Sequence, residues 1–127
     1  MRTLAMILGV GLLLTAGGVK VAHSQQPSTI VIRDFAFQPA TLRVTLSGRR
    51  HEVRWVNNDA VAHTVTADGG TFDSGALGNG ATFAFTVMSA GTYAYHCEIH
   101  TRMRGQIAVE QTSASEGDRD GDTGSGY

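Results

Sequence analysis

The stretch YHCEIHTRMRG, residues 95–105, brings a cysteine, two histidines and a methionine into one short segment. Cys97 is the only cysteine of the 127 residues, and His100 and Met103 follow it at intervals of three. Thiolate, imidazole and thioether groups are soft or borderline donors, which suit copper better than calcium or magnesium. The spacing therefore predicts a tight loop that directs Cys97, His100 and Met103 at one metal ion.

The sequence leading into this loop has the alternation of a β-strand. In GTYAYHC (91–97), Tyr93, Tyr95 and Cys97 fall on one face, because successive side chains of a strand point to opposite sides. We predict that this face is buried and that the Cys97 sulfur lies between two sheets. His96 falls on the other face and is predicted to lie outside the metal site.

The same period of two recurs along the chain, and no segment after Ser28 has a convincing helical period. A composition of 42% hydrophobic residues over this length is enough for one globular domain. Short alternating runs separated by Gly, Asn, Asp and Ser predict an all-β fold, an antiparallel sandwich of two sheets. The predicted strands are 28–34, 41–46, 51–57, 81–87, 91–97 and 105–110.

A second imidazole is needed to complete a His₂Cys site with a methionine, the arrangement of electron-transfer copper. After the leader, the candidates are His51 and His63. His51 begins a strand beside the turn SGRR and has the character of a solvated histidine. His63 lies in WVNNDAVAHTV (55–65) among small apolar residues, so we favour His63.

The two ends of the chain differ in composition from the domain. Residues 1–24 have an early arginine, an apolar run and small residues before Ser24, which predict a signal peptide cleaved after Ser24. The alternative is an uncleaved segment that anchors the protein in a membrane. Residues 25–110 form the predicted domain. Residues 111–127 carry four acidic residues and one arginine among Gly and Ser, which predicts a disordered acidic tail.

Export explains why a single cysteine is informative. Cysteines in an oxidising, exported compartment usually pair with one another, and Cys97 has no partner within the chain. Inert burial, a bridge to another molecule or a metal ion could each account for it, and a metal would keep the sulfur as a thiolate. We therefore expect an exported, periplasmic protein with no membrane span in the mature chain.

Two segments together resemble the cupredoxins, the small blue copper proteins, and most closely their amicyanin and pseudoazurin branch. These segments are WVNNDAVAHTV (55–65) and AGTYAYHCEIHTRMRGQIAVE (90–110). The resemblance implies an eight-stranded Greek-key sandwich that carries one type 1 copper. It also implies the ligands of that copper, which are His63, Cys97, His100 and Met103.

The resemblance further implies a one-electron carrier between redox partner proteins, with His100 as the ligand nearest solvent. We expect a monomer whose contact patch is framed by Ala60, Val61 and Met103. Asn57 matches a family asparagine that holds the loop of the first histidine. Thr64 replaces the asparagine that commonly ties the two ligand loops together, and Thr101 replaces a proline. These two departures are expected to affect the reduction potential and the rigidity of the loop.

Other functions fit the sequence less well. The near-neutral domain has no basic field to recruit nucleic acid. Four protein ligands leave no open position for a substrate, so we expect no enzyme activity. The alternatives that remain are copper storage or delivery with the same ligands, and a structural sandwich without metal. Zinc is disfavoured because methionine is a poor zinc ligand.

Overall fold

The computed structural model describes residues 17–18 and 26–112. Within this range the chain forms eight strands and no helix. The strands are β1 (Ser28–Arg33), β2 (Ala36–Gln38), β3 (Thr41–Leu46), β4 (His51–Asn57), β5 (Thr66–Ala67), β6 (Thr82–Val87), β7 (Gly91–His96) and β8 (Arg104–Gln111). Apart from residues 17–18, the predicted signal peptide lies outside the described residues, as does the predicted tail beyond Thr112. A search of the described residues for an apolar helix long enough to span a membrane finds none.

The strands form two four-stranded sheets, ordered β2-β1-β4-β6 and β3-β8-β7-β5. The predicted all-β sandwich of about eight strands is confirmed. Each sheet, however, contains one parallel pair, β1 with β4 and β3 with β8, so the sheets are mixed rather than antiparallel throughout. Parallel neighbours require a crossover connection. Here β3 lies in the second sheet and separates β1 from β4 along the chain.

Alternating burial of side chains explains why the predicted strands form. In β4, Val53 and Trp55 are fully buried while Arg54 between them is exposed. Trp55 meets Tyr95 of β7 edge to face, with ring centroids 5.5 Å apart at 87°. This aromatic contact joins the two sheets directly behind the end of β7, where Cys97 follows.

Two short strands, β2 and β5, were missed by the sequence prediction. Strand β2 has three residues and β5 has two, too few to display an alternation. Strand β5 pairs with β7, with Thr66 opposite His96. This pairing brings the segment that contains His63 alongside the strand that leads to Cys97.

Tyr95 places a hydroxyl group in the core without a matching acceptor. The residue is 1% exposed, and no described residue makes a hydrogen bond of good geometry with its hydroxyl. Burial raises the pKa of Tyr95 to about 12, against a smaller opposing effect of the Trp55 side chain. The phenolate form is therefore disfavoured in the folded protein.

This raised pKa predicts a loss of stability in alkali. Between about pH 10 and pH 12 the unfolded chain releases the Tyr95 proton while the folded chain retains it, so stability falls as the pH rises. We expect a loss of about 2–3 kcal/mol in the free energy of unfolding over this range. Tyr95→Phe should remove that loss in urea unfolding measured at several pH values.

Tyr93→Phe is the matched control, because Tyr93 is half-buried and its hydroxyl already donates to the Ser89 carbonyl at 3.0 Å. This variant should keep the alkaline loss of the unmodified protein. An equal loss in Tyr95→Phe would show that another group is responsible.

Candidate metal centre

The His63 loop is held from beneath by Asn57 at the end of β4. Asn57 is fully buried, and its side-chain amide donates to the carbonyl groups of Val61 at 2.9 Å and Leu77 at 2.8 Å. The backbones of His63 and Leu77 also exchange two hydrogen bonds, of 3.1 and 2.7 Å. These contacts bear out the predicted role of Asn57 and leave His63 fully buried.

The second loop begins where β7 ends. The Cys97 amide donates to the Met103 carbonyl at 3.1 Å, and the Met103 amide donates to the His100 carbonyl at 2.9 Å. These two bonds close the connection between β7 and β8 into a compact turn. Cys97 is fully buried, Met103 is 4% exposed, and His100 is half-buried. His100 is therefore the most exposed of the four predicted ligands, as expected.

Three of the predicted donor atoms converge on one point. Cys97 Sγ lies 3.9 Å from both His63 Nδ1 and His100 Nδ1, and the two nitrogens are 3.1 Å apart. The centre of this triangle lies about 2.1 Å from each atom, within the range of metal–nitrogen and metal–sulfur bonds of about 2.0–2.3 Å. The geometry of the protein atoms fits an ion with trigonal His₂Cys coordination. Among the described residues, this is the group of His, Cys, Asp and Glu donors that could hold an ion.

Asp59 determines which nitrogen of His63 faces that centre. Its Oδ2 atom lies 2.7 Å from His63 Nε2, and a carboxylate accepts hydrogen bonds only. Nε2 of the neutral ring therefore carries the hydrogen, and the lone pair of Nδ1 points toward Cys97 and His100. A carboxylate in this position orients a ligating histidine and raises its basicity.

The same carboxylate fixes the turn between β1 and β2. The amides of Asp34 and Phe35 donate to its two oxygens at 2.8 and 3.0 Å, and both residues have positive φ angles of 53° and 56°. The pKa of Asp59 is lowered chiefly by the Phe35 amide, with partial burial opposing and with the Asp34 amide and His63 adding to the effect. Asp59 thus connects the turn to the ligand loop.

Phe35 covers the two imidazoles from outside. Its ring meets those of His63 and His100 edge to face, with centroids 5.4 and 5.0 Å away. The side chain is nevertheless 53% exposed. Val61 and Ile99, next to the two ligand loops, are also exposed, whereas Met103 is buried. Met103 is therefore too buried to frame the expected contact patch, whereas Phe35 is exposed beside the two imidazoles.

The sulfur of Cys97 receives two backbone hydrogen bonds. The amides of Thr64 and His100 donate to it at 3.3 and 3.4 Å. The Thr64 hydroxyl in turn accepts a hydrogen bond from the Glu98 amide at 2.8 Å. Thr64 therefore joins the two ligand loops through both its backbone and its side chain, the connection that the resemblance assigned to an asparagine.

Among the described residues, the two other histidines, His51 and His96, lie outside the site. His96 points to the opposite face of β7 and pairs with Asp68, as the alternation predicted. His51 is half-buried and bonds to Ser28 at 2.9 Å, so it is less solvated than we predicted. Asp59 and Phe35 were not predicted from the sequence. The only signal for Asp59 was its position four residues before His63.

Comparison with known proteins identifies the family. Residues 4–109 match the family described as Cupredoxin-like domain. The chain belongs to the cupredoxins. The curated amicyanin of Paracoccus denitrificans is 37% identical over 68 residues, which cover 46% of this chain and 48% of that protein. This cupredoxin therefore spans about half the length of that relative.

Solved structures agree with this assignment. An amicyanin variant in its Cu(I) form is 27% identical, covers 66% of this chain and 82% of its own, and superposes with a TM-score of 0.61. A Cu-containing nitrite reductase from Thermus scotoductus is 25% identical over 69% of this cupredoxin and 23% of its own chain, with a TM-score of 0.62. The predicted resemblance to amicyanin is confirmed. His63, Cys97, His100 and Met103 form the candidate type 1 copper site.

Proposed function

We propose that this cupredoxin carries single electrons between redox partner proteins, using one copper ion bound by His63, Cys97, His100 and Met103. The observation that carries the proposal is the triangle of three donor atoms with sides of 3.1, 3.9 and 3.9 Å. Its shape matches the His₂Cys plane of electron-transfer copper sites, and the buried Met103 lies in the same turn. Relatives that include an amicyanin in the Cu(I) form support the choice of metal.

Hydrogen bonds within the protein hold the donor groups in place. When bound, copper supplies a Cu(I)/Cu(II) couple. Asp59 fixes the tautomer of His63, and two amides hold the Cys97 sulfur at 3.3 and 3.4 Å. Donors fixed in this way need little rearrangement between the two charge states. A small rearrangement is what fast electron transfer requires.

The half-buried His100 gives the site its route to the surface. Its ring lies beneath the exposed Phe35, and Ile99 beside it is also exposed. We propose that a partner protein docks on Phe35, Val61 and Ile99 and exchanges its electron through His100. We also propose that the protein acts after export, in the periplasm, and has no enzyme activity of its own.

The experiment is the visible spectrum and voltammetry of the purified protein after addition of Cu(II). An electron carrier should show an intense sulfur-to-copper absorption band and a reversible one-electron wave, and should release copper slowly to a chelator. Fast release of copper with no reversible wave would favour copper storage or delivery instead. A colourless copper-loaded protein would overturn the proposal.

A further inference from the structure

A line of hydroxyl groups runs from the ligand loop to the exposed carboxylate of Asp73. The Glu98 amide donates to Thr64 Oγ1 at 2.8 Å, Thr64 Oγ1 lies 3.0 Å from Thr66 Oγ1, and Thr66 Oγ1 donates to Asp73 Oδ1 at 3.3 Å. Thr64 and Thr66 are 5% and 8% exposed, while Asp73 is exposed. Neither Thr66 nor Asp73 belongs to the donor set described above.

The chemistry of the groups determines which atom donates and which accepts in each hydrogen bond of this chain of hydroxyl groups. A carboxylate accepts hydrogen bonds only, so the single hydroxyl hydrogen of Thr66 is committed to Asp73. The Thr66 oxygen can therefore only accept a hydrogen bond from Thr64, so the Thr64 hydroxyl is the donor between the two threonines. With its own hydrogen committed, Thr64 presents a lone pair to the Glu98 amide. Each donor in such a chain becomes a better acceptor for the next group.

Backbone contacts place the Asp73 carboxylate beside the Thr66 hydroxyl. Thr66 and Asp73 form an antiparallel bridge, and the Ser74 amide donates to the Val65 carbonyl at 3.0 Å. Gly75 has a φ of 63° and donates its amide to Asp73 Oδ1 at 2.9 Å. The carboxylate is thus held as a fixed end point of the chain.

We propose that Thr66 and Asp73 are positioning residues for the Cys97 thiolate. The hydroxyl chain holds the peptide group between Cys97 and Glu98 against Thr64, whose own amide donates to Cys97 Sγ at 3.3 Å. Holding that peptide keeps this amide within reach of the sulfur. Hydrogen bonds to a ligating sulfur stabilise its negative charge, which favours the reduced metal and raises the reduction potential. The effect on the potential rests on the proposed function, whereas the hold on the peptide does not.

Thr66→Val tests the chain, because valine has the shape of threonine without its hydroxyl. In the copper-free protein, hydrogen exchange of the Glu98 amide should become about three to ten times faster, the change expected for loss of one typical hydrogen bond. The Asn58 amide, which donates to Ile32, is the internal reference and should not change. In the copper-loaded protein the reduction potential should fall. Thr66→Ser restores the hydroxyl and should return both measurements to those of the unmodified protein.

Asp73→Ala removes the terminal acceptor at an exposed position, and carries the test if Thr66→Val does not fold. It should change both measurements in the same direction. If hydrogen exchange of the Glu98 amide were unchanged in the folded variants, the proposed chain of hydrogen bonds through Thr64 and Thr66 would be wrong. Faster exchange with an unchanged potential, in a wild-type protein that is blue and redox-active, would overturn the positioning role alone. A wild-type protein that never becomes blue with copper would refute the proposed function. The hydrogen-exchange measurement would still test the chain of hydrogen bonds, because it is made on the copper-free protein.

Discussion

Serine in place of Cys97 is expected to abolish the intense visible absorption of the copper-loaded protein and to weaken copper binding by at least about tenfold. The absorption arises from charge transfer between a thiolate sulfur and Cu(II), and a serine oxygen cannot provide it. Loss of a residue that only supports a ligand already costs about 10- to 100-fold in metal affinity, so loss of a ligand should cost no less. Spectra recorded during copper titration, together with chelator competition, give both quantities.

The losses of visible absorption and of copper affinity should follow from the missing sulfur and not from unfolding of the protein. Cys97 is fully buried, and serine is close to it in size. The amides of Thr64 and His100, which donate to Sγ at 3.3 and 3.4 Å, can donate to a serine oxygen instead. The buried hydroxyl group therefore has partners, and the thermal unfolding midpoint of the copper-free protein should change little.

Met103→Leu is the matched control for Cys97→Ser, because it removes a sulfur of the same loop while keeping the thiolate and both imidazoles. The axial methionine of such sites is a weak ligand that mainly tunes the potential. The leucine variant should therefore keep an intense visible band with a shifted reduction potential. A serine variant that stays coloured would mean that Cys97 is not the sulfur donor, and the proposed site would be wrong.

The sequence predicted those strands whose burial alternates over six or more residues. Val53 and Trp55 of β4 occupy the core as expected, because one-sided burial leaves a period of two in the sequence. Strands β2 and β5 have too few residues to carry that pattern. The parallel pairs were missed because pairing direction depends on how distant strands are connected.

The residues of the candidate donor set could be selected from the sequence because three of them lie close together along the chain. Cys97, His100 and Met103 lie on one turn, so their spacing alone indicates a common target, and His63 was selected by its apolar neighbours. The Asp59 contacts had no comparable signal. They join residues 24 and 25 positions apart through a turn in which two non-glycine residues adopt positive φ, a conformation that is uncommon for a residue as bulky as Phe35.

Gly105→Ala is expected to destabilise the domain by about 3 kcal/mol, lowering the thermal midpoint by about 10 °C or more. Gly105 lies opposite Tyr95 on β8, and an added Cβ would lie 2.4 Å from both Cζ and Oη of that ring. The ring cannot easily move, because Phe37 and Trp55 pack against it with centroids 4.7 and 5.5 Å away. Thermal and urea unfolding of the copper-free protein measure the loss.

Two effects of Gly105→Ala on the free energy of unfolding oppose each other, and the larger one decides whether the substitution destabilises the domain. Alanine is favoured over glycine within a strand by about 0.5–1 kcal/mol, so backbone propensity alone predicts stabilisation. Gly78→Ala is the control, because its Cβ would meet nothing within 4 Å. Tyr95→Leu removes the Cζ and Oη atoms, so Gly105→Ala should cost much less in that background, as a double-mutant cycle would measure. An equal cost in both backgrounds would mean that contact with Tyr95 is not what requires glycine here. If the cost does depend on Tyr95, the ring two residues before Cys97 holds its place because Gly105 has no side chain.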